Sequence, residues 1–474
     1  MRTPPTLPRQ QRGALLILLV IALGVLAVTL FVGMLSRSDI QAERDKTTAA
    51  ALAEAKAALI GYAAGTGLSI TSASRPGDLP CPDLNNDGIA ETSCGNASGT
   101  TGQIQRIGRL PWKTLGLPDL RDGDGERLWY AVSNNYKKNI RTTCSAPGQP
   151  GCLNSDSQGT ITIRDSNGLI IYDGSGSTGA VAVVISPGAV LQRQGAVNIQ
   201  DRSCTIGTNC DTTEQCTTSP ASLTPKCNPV NYLDTGNGED NADFLDGQTN
   251  GFINGKITVA DPLNINNKIV IVNDRLVTIT TTELLPLLEK RVAGEVMKCL
   301  TSYSAVNSQR YSWAAKLDSS APPDYADATD VRFGRIPDSP FTKTQTSSSN
   351  TMSKNWPAEC NISSNSGWWL NWKEMVFYSV ADAYKPSSLT NPPASPCLSC
   401  LTVNPPSAAA DKRVVVIVAG KTLLGTIPPQ SRAAYPAPDK GIAANYLEGG
   451  NESGMDIFTS GSATTTFNDR LLYK

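Results

Sequence analysis

The chain contains no histidine among its 474 residues. That excludes Ser-His-Asp and Cys-His catalysis, His-ligated zinc and imidazole acid–base chemistry. A dominant charge is also lacking: 41 basic residues against 42 acidic ones leave a net charge of −1. No basic excess points to nucleic acid, and no acidic tail points to a solvating role. No activated nucleophile, carboxylate pair or phosphate-binding glycine loop stands out. An enzyme is therefore not expected, and neither catalytic nor cofactor-binding residues are assigned. What the chain does have is length for two or three domains, apolar residues at 40% for a core, and many turn formers, with Gly 40 and Pro 31.

The twelve cysteines are Cys81, Cys94, Cys144, Cys152, Cys204, Cys210, Cys216, Cys227, Cys299, Cys360, Cys397 and Cys400. Without histidine, zinc would need four-cysteine sites, and 204/210/216/227 lacks the paired CxxC knuckles of such sites. Disulfides and an oxidising compartment are the better reading. The expected bridges are Cys81–Cys94, Cys144–Cys152, Cys397–Cys400 and Cys299–Cys360, with the other four pairing among themselves.

The N-terminus begins with a basic leader, Arg2, Arg9 and Arg12 within residues 1–13, ending at Gly13. Ala14 to Leu35 then runs 22 residues without a charge. At about 1.5 Å per residue this is roughly 33 Å, the thickness of a bilayer core, so 14–35 is expected to span a membrane. Residues 36–66 continue the helix as an amphipathic half, rich in Ala, Glu, Lys and Gln.

This arrangement resembles a type IV prepilin or a type II secretion pseudopilin. The resemblance covers about the first 65 residues. It implies that a prepilin peptidase cuts between Gly13 and Ala14, that the new amine is methylated, and that the long helix packs with other pilin or pseudopilin subunits. Two positions depart from the family: Leu18 stands where Glu is usual, and Ala14 where Phe is usual. In these departures the chain resembles the large minor subunits found at filament tips.

An internal duplication follows. Gly108-Arg-Leu-Pro111 returns as Gly334-Arg-Ile-Pro337, and Glu126–Lys137 returns without a gap as Glu374–Lys385. Ala180–Ile185 matches Arg413–Val418, Asn231–Asn237 matches Asn445–Asn451, and Asn273–Leu276 matches Asn468–Leu471. The period is that of a domain. The second copy opens with a capping-box pattern, Thr280 to Glu283, which predicts a helix over about 281–304. Asn167-Gly168 between two β-prone runs predicts a hairpin. The expected fold is α+β: a long N-terminal membrane-spanning helix followed by two tandem pilin-like domains, 67–280 and 281–474, each helix plus antiparallel sheet with disulfide-rich loops.

Four weaker patterns remain. Asp83, Asn85, Asp87 and Glu91, with Gly88 between, fit the start of a calcium loop, although Cys94 stands where the final acid belongs. Calcium is the one candidate cofactor, and the alternative is an Asx-rich turn clipped by Cys81–Cys94. Asp122-x-x-Gly125-x-x-x-x-Tyr130 resembles the aspartate–glycine–tyrosine turn before a strand in the major secretion pseudopilins, a family that binds calcium near its sheet. Asp234, Glu239, Asp240, Asp243 and Asp246 form a further acidic loop that suits a solvated surface equally well. Trp368, Trp369 and Trp372 suit core packing better than an adhesive platform. The expected function is a structural subunit that initiates or caps a pilus or pseudopilus; the alternative is a membrane-anchored adhesin. The expected location is the inner membrane, single-pass, with periplasmic C-terminal domains, or the outer end of a filament.

Overall fold

The computed structural model describes residues 10–65, 75–95, 106–138, 144, 152–194, 199–207, 210–216, 225–244, 247–261, 264–317, 325–340, 352–360, 362, 367–386, 393, 397, 399–426, 428–432 and 438–474. Within the first helix, side chains are described at Leu23 and from Asp39 onward.

That helix, α1 (Gln10–Gly65), has 56 residues. From Asp39 to Ile60 it contains neither proline nor glycine, so nothing interrupts its hydrogen-bond ladder. Ala51, Ala55, Leu59 and Ala63 recur every four residues and are buried, with Leu52 beside them. This is the narrow apolar stripe of a helix lying on a sheet. Small residues on the stripe let the helix sit close. Gly123 carries this further: a Cβ there would collide with the α1 backbone at Arg44. The Gly123 N–H instead donates to Thr48 Oγ1 at 2.9 Å.

Among the described residues no helix is long and apolar enough to cross a membrane. The expectation of a membrane-spanning helix at 14–35, and the single-pass inner-membrane location built on it, are corrected accordingly. Where its side chains are described, α1 carries Asp39, Glu43, Arg44, Asp45, Lys46, Glu54 and Lys56. It buries its apolar stripe against protein rather than lipid.

The first half continues with β1 (Ile107–Arg109), β2 (Trp129–Val132), β3 (Ile163–Asp165), β4 (Ile170–Tyr172), β5 (Ala182–Ser186), β6 (Thr235–Gly236), β7 (Glu239–Asp240), β8 (Phe252–Asn254), β9 (Ile257–Asp261), β10 (Asn264–Val272) and β11 (Arg275–Ile279). The second half holds α2 (Thr281–Val306), β12 (Phe333–Arg335), α3 (Gly367–Trp372), β13 (Val376–Val380), β14 (Leu401–Val403), β15 (Ala410–Lys412), β16 (Val414–Val418), α4 (Gly450–Ser453), β17 (Ile457–Phe458) and β18 (Arg470–Tyr473). The capping box forms at the start of α2, where the Thr280 N–H donates to Glu283 Oε2 at 3.0 Å. Gly168, at φ +84°, closes the β3–β4 hairpin.

The two halves superpose in topology. One antiparallel sheet has the order β1-β2-β5-β11, the other β12-β13-β16-β18. Register agrees as well: Gly108 faces Tyr130 as Gly334 faces Tyr378, and Trp129 faces Ile185 as Phe377 faces Ile417. The repeated glycine has a steric cause. A Cβ at Gly108 or Gly334 would run into the backbone carbonyl of Asp83 or Ala315, the segment lying alongside. α1 packs on β5 and β11, and α2 packs on β16 and β18.

The halves are not independent units, because a single apolar core runs through both. It joins Leu59 of α1, Val184 of β5, Leu288 and Val292 of α2, the three tryptophans of α3 and Val416 of β16. The central strands are buried along their whole length. In β5 the faces divide cleanly, with Ala182 and Val184 toward the shared core and Val183 and Ile185 toward a second cluster around Tyr232. Polar contacts cross the junction too. Asn371 Oδ1 accepts the Leu153 N–H at 2.8 Å, and the Ser155 hydroxyl donates to the Ala419 carbonyl at 2.7 Å.

Candidate functional site

Gly13 and Ala14 lie in the first turns of α1. The four residues of the calcium-like pattern do come together, but as a turn. Asp83 accepts backbone N–H groups from Asp87 at 3.2 Å and Gly88 at 2.7 Å. Asn85 accepts from the Asp87 N–H at 3.1 Å, Asp87 from Ile89 at 2.6 Å, and Glu91 from Leu84 at 3.4 Å. Their oxygens are taken up by the loop's own amides. Among the described residues no group of three or more Asp, Glu or Cys is gathered where a metal could be held. The donor set does not fit calcium. Asp122, in the neighbouring turn, is also occupied: it accepts from Asp124, Glu126, Ser186 and Gly188.

Among the described residues five disulfides form: Cys81–Cys94, Cys144–Cys152, Cys204–Cys210, Cys216–Cys227 and Cys397–Cys400. The expected Cys299–Cys360 bridge does not; both remain buried thiols in the shared core. The loop pinned by the 204–227 cysteines lies over the calcium-like turn. The Cys216 N–H donates to the Asn85 carbonyl at 2.9 Å, and the Asn86 amide to the Glu214 carbonyl at 3.1 Å.

The repeated motifs converge on two matching clusters that the sequence reading did not assemble. In the first half the Arg109 guanidinium lies 4.2 Å from the Trp129 ring and 3.9 Å from the Tyr232 ring, with Arg202 on Tyr232 at 4.8 Å. In the second, Arg335 lies 4.6 Å from both Phe377 and Tyr446, with Arg432 at 4.9 Å from Tyr446. Each tyrosine is thus held between two guanidinium groups.

Behind each stands a buried pair of carboxyls. Gln200 donates to Asp234 at 3.0 Å, and Asn241 to Asp274 at 2.8 Å. Gln430 donates to Glu448 at 2.6 Å, and Asn451 to Asp469 at 2.8 Å. Burial holds Asp274 and Asp469 well above the ordinary carboxylate range, reinforced by the neighbouring Asp234 and Glu448. The pairs are closed to solvent and tie the start of β11 and β18 to the preceding loops. The signal for them was present in the repeated Asn-Tyr-Leu-acid and Asn-Asp-Arg-Leu motifs.

The acidic loop also dissolves into structure. Asp234 belongs to the first pair, Glu239 binds Arg164 at 2.8 Å, and Asp240 binds Arg193. Asp243 is exposed, and Asp246 lies outside the described residues. Trp368, Trp369 and Trp372 are at most 1% exposed and form core between the halves.

A cleft of about 500 Å³ opens where α1 meets the body. Its charged lining alternates in sign: Arg44 with Asp124 at 3.1 Å, and Arg275 with Asp45 at 2.6 Å, with Lys256 beside them. On the solvent side, residues 39–47 of α1 are exposed except for half-buried Asp45. The two ion pairs tie α1 to the body across the cleft. No family model, curated protein or solved structure was found to match the chain.

Proposed function

We propose that the chain is a minor pilin- or pseudopilin-like structural subunit that sits at a filament tip and initiates or caps a type IV pilus or type II secretion pseudopilus. The observation carrying this reading is the form of α1. It is one unbroken helix, and among its described side chains the buried face runs from Thr48 to Ala63. The 30 residues from Ala14 to Glu43, ahead of the Arg44 and Asp45 ion pairs with the body, amount to about 45 Å of helix at about 1.5 Å per residue. That length is available to pack against the helices of other subunits after the peptidase has removed residues 1–13.

The doubled body favours an end position. Two helix-on-sheet halves fused through one core are a larger head than a regular array has room for at every step. Leu18 agrees with this: a subunit with no neighbour above it has no amine to neutralise with Glu. Labelled protein counted on single filaments tests the reading. One or a few copies at one end support it, and label along the whole length, or on no filament, overturns it. The last outcome would favour an adhesin that acts alone.

A further inference from the structure

The halves diverge at one edge where their topology is the same. Each carries a small sheet with a parallel pair, β3–β8 or β14–β17, and one antiparallel outer strand, β4 or β15. The outer strand of the second half reads Ala410-Asp-Lys412, with Asp411 and Lys412 paired at 2.7 Å. Charge on an outer strand is a standard guard against unwanted pairing. β4 has no such guard. Leu169, Ile170 and Ile171 are 68%, 42% and 48% exposed. Neighbours along a strand point to opposite faces, so Ile170 and Ile171 expose apolar surface on both faces of β4, and among the described residues no strand pairs with its outer edge.

Two aspartates bracket this apolar strip. Asp165 accepts the N–H groups of Asn167 and Leu169, each at 2.9 Å, and Asp173 accepts that of Ser175 at 2.9 Å. The Leu169 N–H holds the Asp165 carboxyl below its usual range, and the Ser175 hydroxyl, donating at 2.6 Å, does the same for Asp173, so both stay ionised.

We propose that the outer edge of β4 is a strand-addition site for an extended apolar segment of another protein carrying a basic residue at each end. The β4 backbone supplies the ladder, Ile170 and Ile171 the apolar contact, and the two aspartates the preference for basic flanks. A second copy of this chain fits less well. Antiparallel self-pairing would set Asp173 of one strip against the Asp165 turn of the other, at both ends. The proposal is independent of the filament reading.

The probe is a labelled synthetic peptide, Lys-Val-Thr-Val-Thr-Lys with blocked termini, titrated into the full chain by fluorescence anisotropy. Saturable binding is expected, weakened about tenfold or more by Ile171→Lys and by exchanging the peptide's lysines for glutamates. Ala410→Lys, at the equivalent edge of the second half, should leave binding unchanged. Methylating one of the two alternating sets of peptide amides should abolish it. Absence of saturable binding, or equal binding by wild type and Ile171→Lys, would overturn the proposal.

Discussion

The Asp274 carboxylate accepts the backbone N–H of Asp234 at 2.8 Å, and Asp469 accepts that of Glu448 at 3.0 Å. A single contact, made twice, thus fastens the last sheet strand of each half to the loop that precedes it. Each carboxyl pair keeps a proton more readily when folded than when unfolded.

Stability therefore depends on pH in a definite direction. Burial raises Asp274 and Asp469 well above the ordinary range, and burial pushes Glu289 up to about 7. A raised carboxyl pKa stabilises the fold fully below its unfolded value of about 4 and loses that contribution as pH rises through the folded value. The melting temperature should be higher at pH 5 than at pH 8. Glu289→Gln and Asp274→Asn should each flatten that difference in calorimetry, whereas an unchanged slope in both variants would refute the assignment.

Removing an arginine from its ring sandwich should be costly. Arg335 is buried, lies on Phe377 and Tyr446, and donates to the Lys440 carbonyl at 3.2 Å. Arg335→Met should lower stability by about 2–4 kcal/mol in urea unfolding. Arg109→Met, its counterpart, should behave alike.

The shared core implies cooperative unfolding of both halves. Trp369, fully buried between them, should cost about 3–5 kcal/mol when replaced by alanine. It should lower a single transition rather than split it in two. Residues 281–474 produced alone should expose apolar surface and bind a hydrophobic dye, because α1 and the segment around Leu153 no longer cover them.

Redox state gives a count. Alkylation of denatured, unreduced protein should label two thiols, Cys299 and Cys360, and peptide mapping should recover the other ten cysteines as five bridges. Loss of Cys216–Cys227, with a separation of 11 residues, should destabilise by about 3 kcal/mol on loop entropy.

How much of this was legible depended on range along the chain. The α2 start was readable because Thr280 and Glu283 are three residues apart, and the β3–β4 hairpin because Gly168 occupies a turn that favours glycine. The duplication was readable as ordered matches. The acid pairs were not, since Asp234 and Asp274 lie 40 residues apart and meet only once β11 has paired with β5. Cys299 and Cys360 were misread as a bridge because parity favours pairing, whereas a thiol also packs well as a small apolar group. The β9–β10 hairpin, present among the described residues only in the first half, hid behind an Asn-rich stretch. The membrane span was inferred from uncharged length alone, and length does not tell whether a helix lies against lipid or protein.

The most direct test of the central claim is the intact mass of the protein's N-terminal peptide, isolated from its native host. The filament-subunit account predicts a chain beginning at Ala14 with a methylated amine. A peptide that still carries Met1 to Gly13 would contradict it.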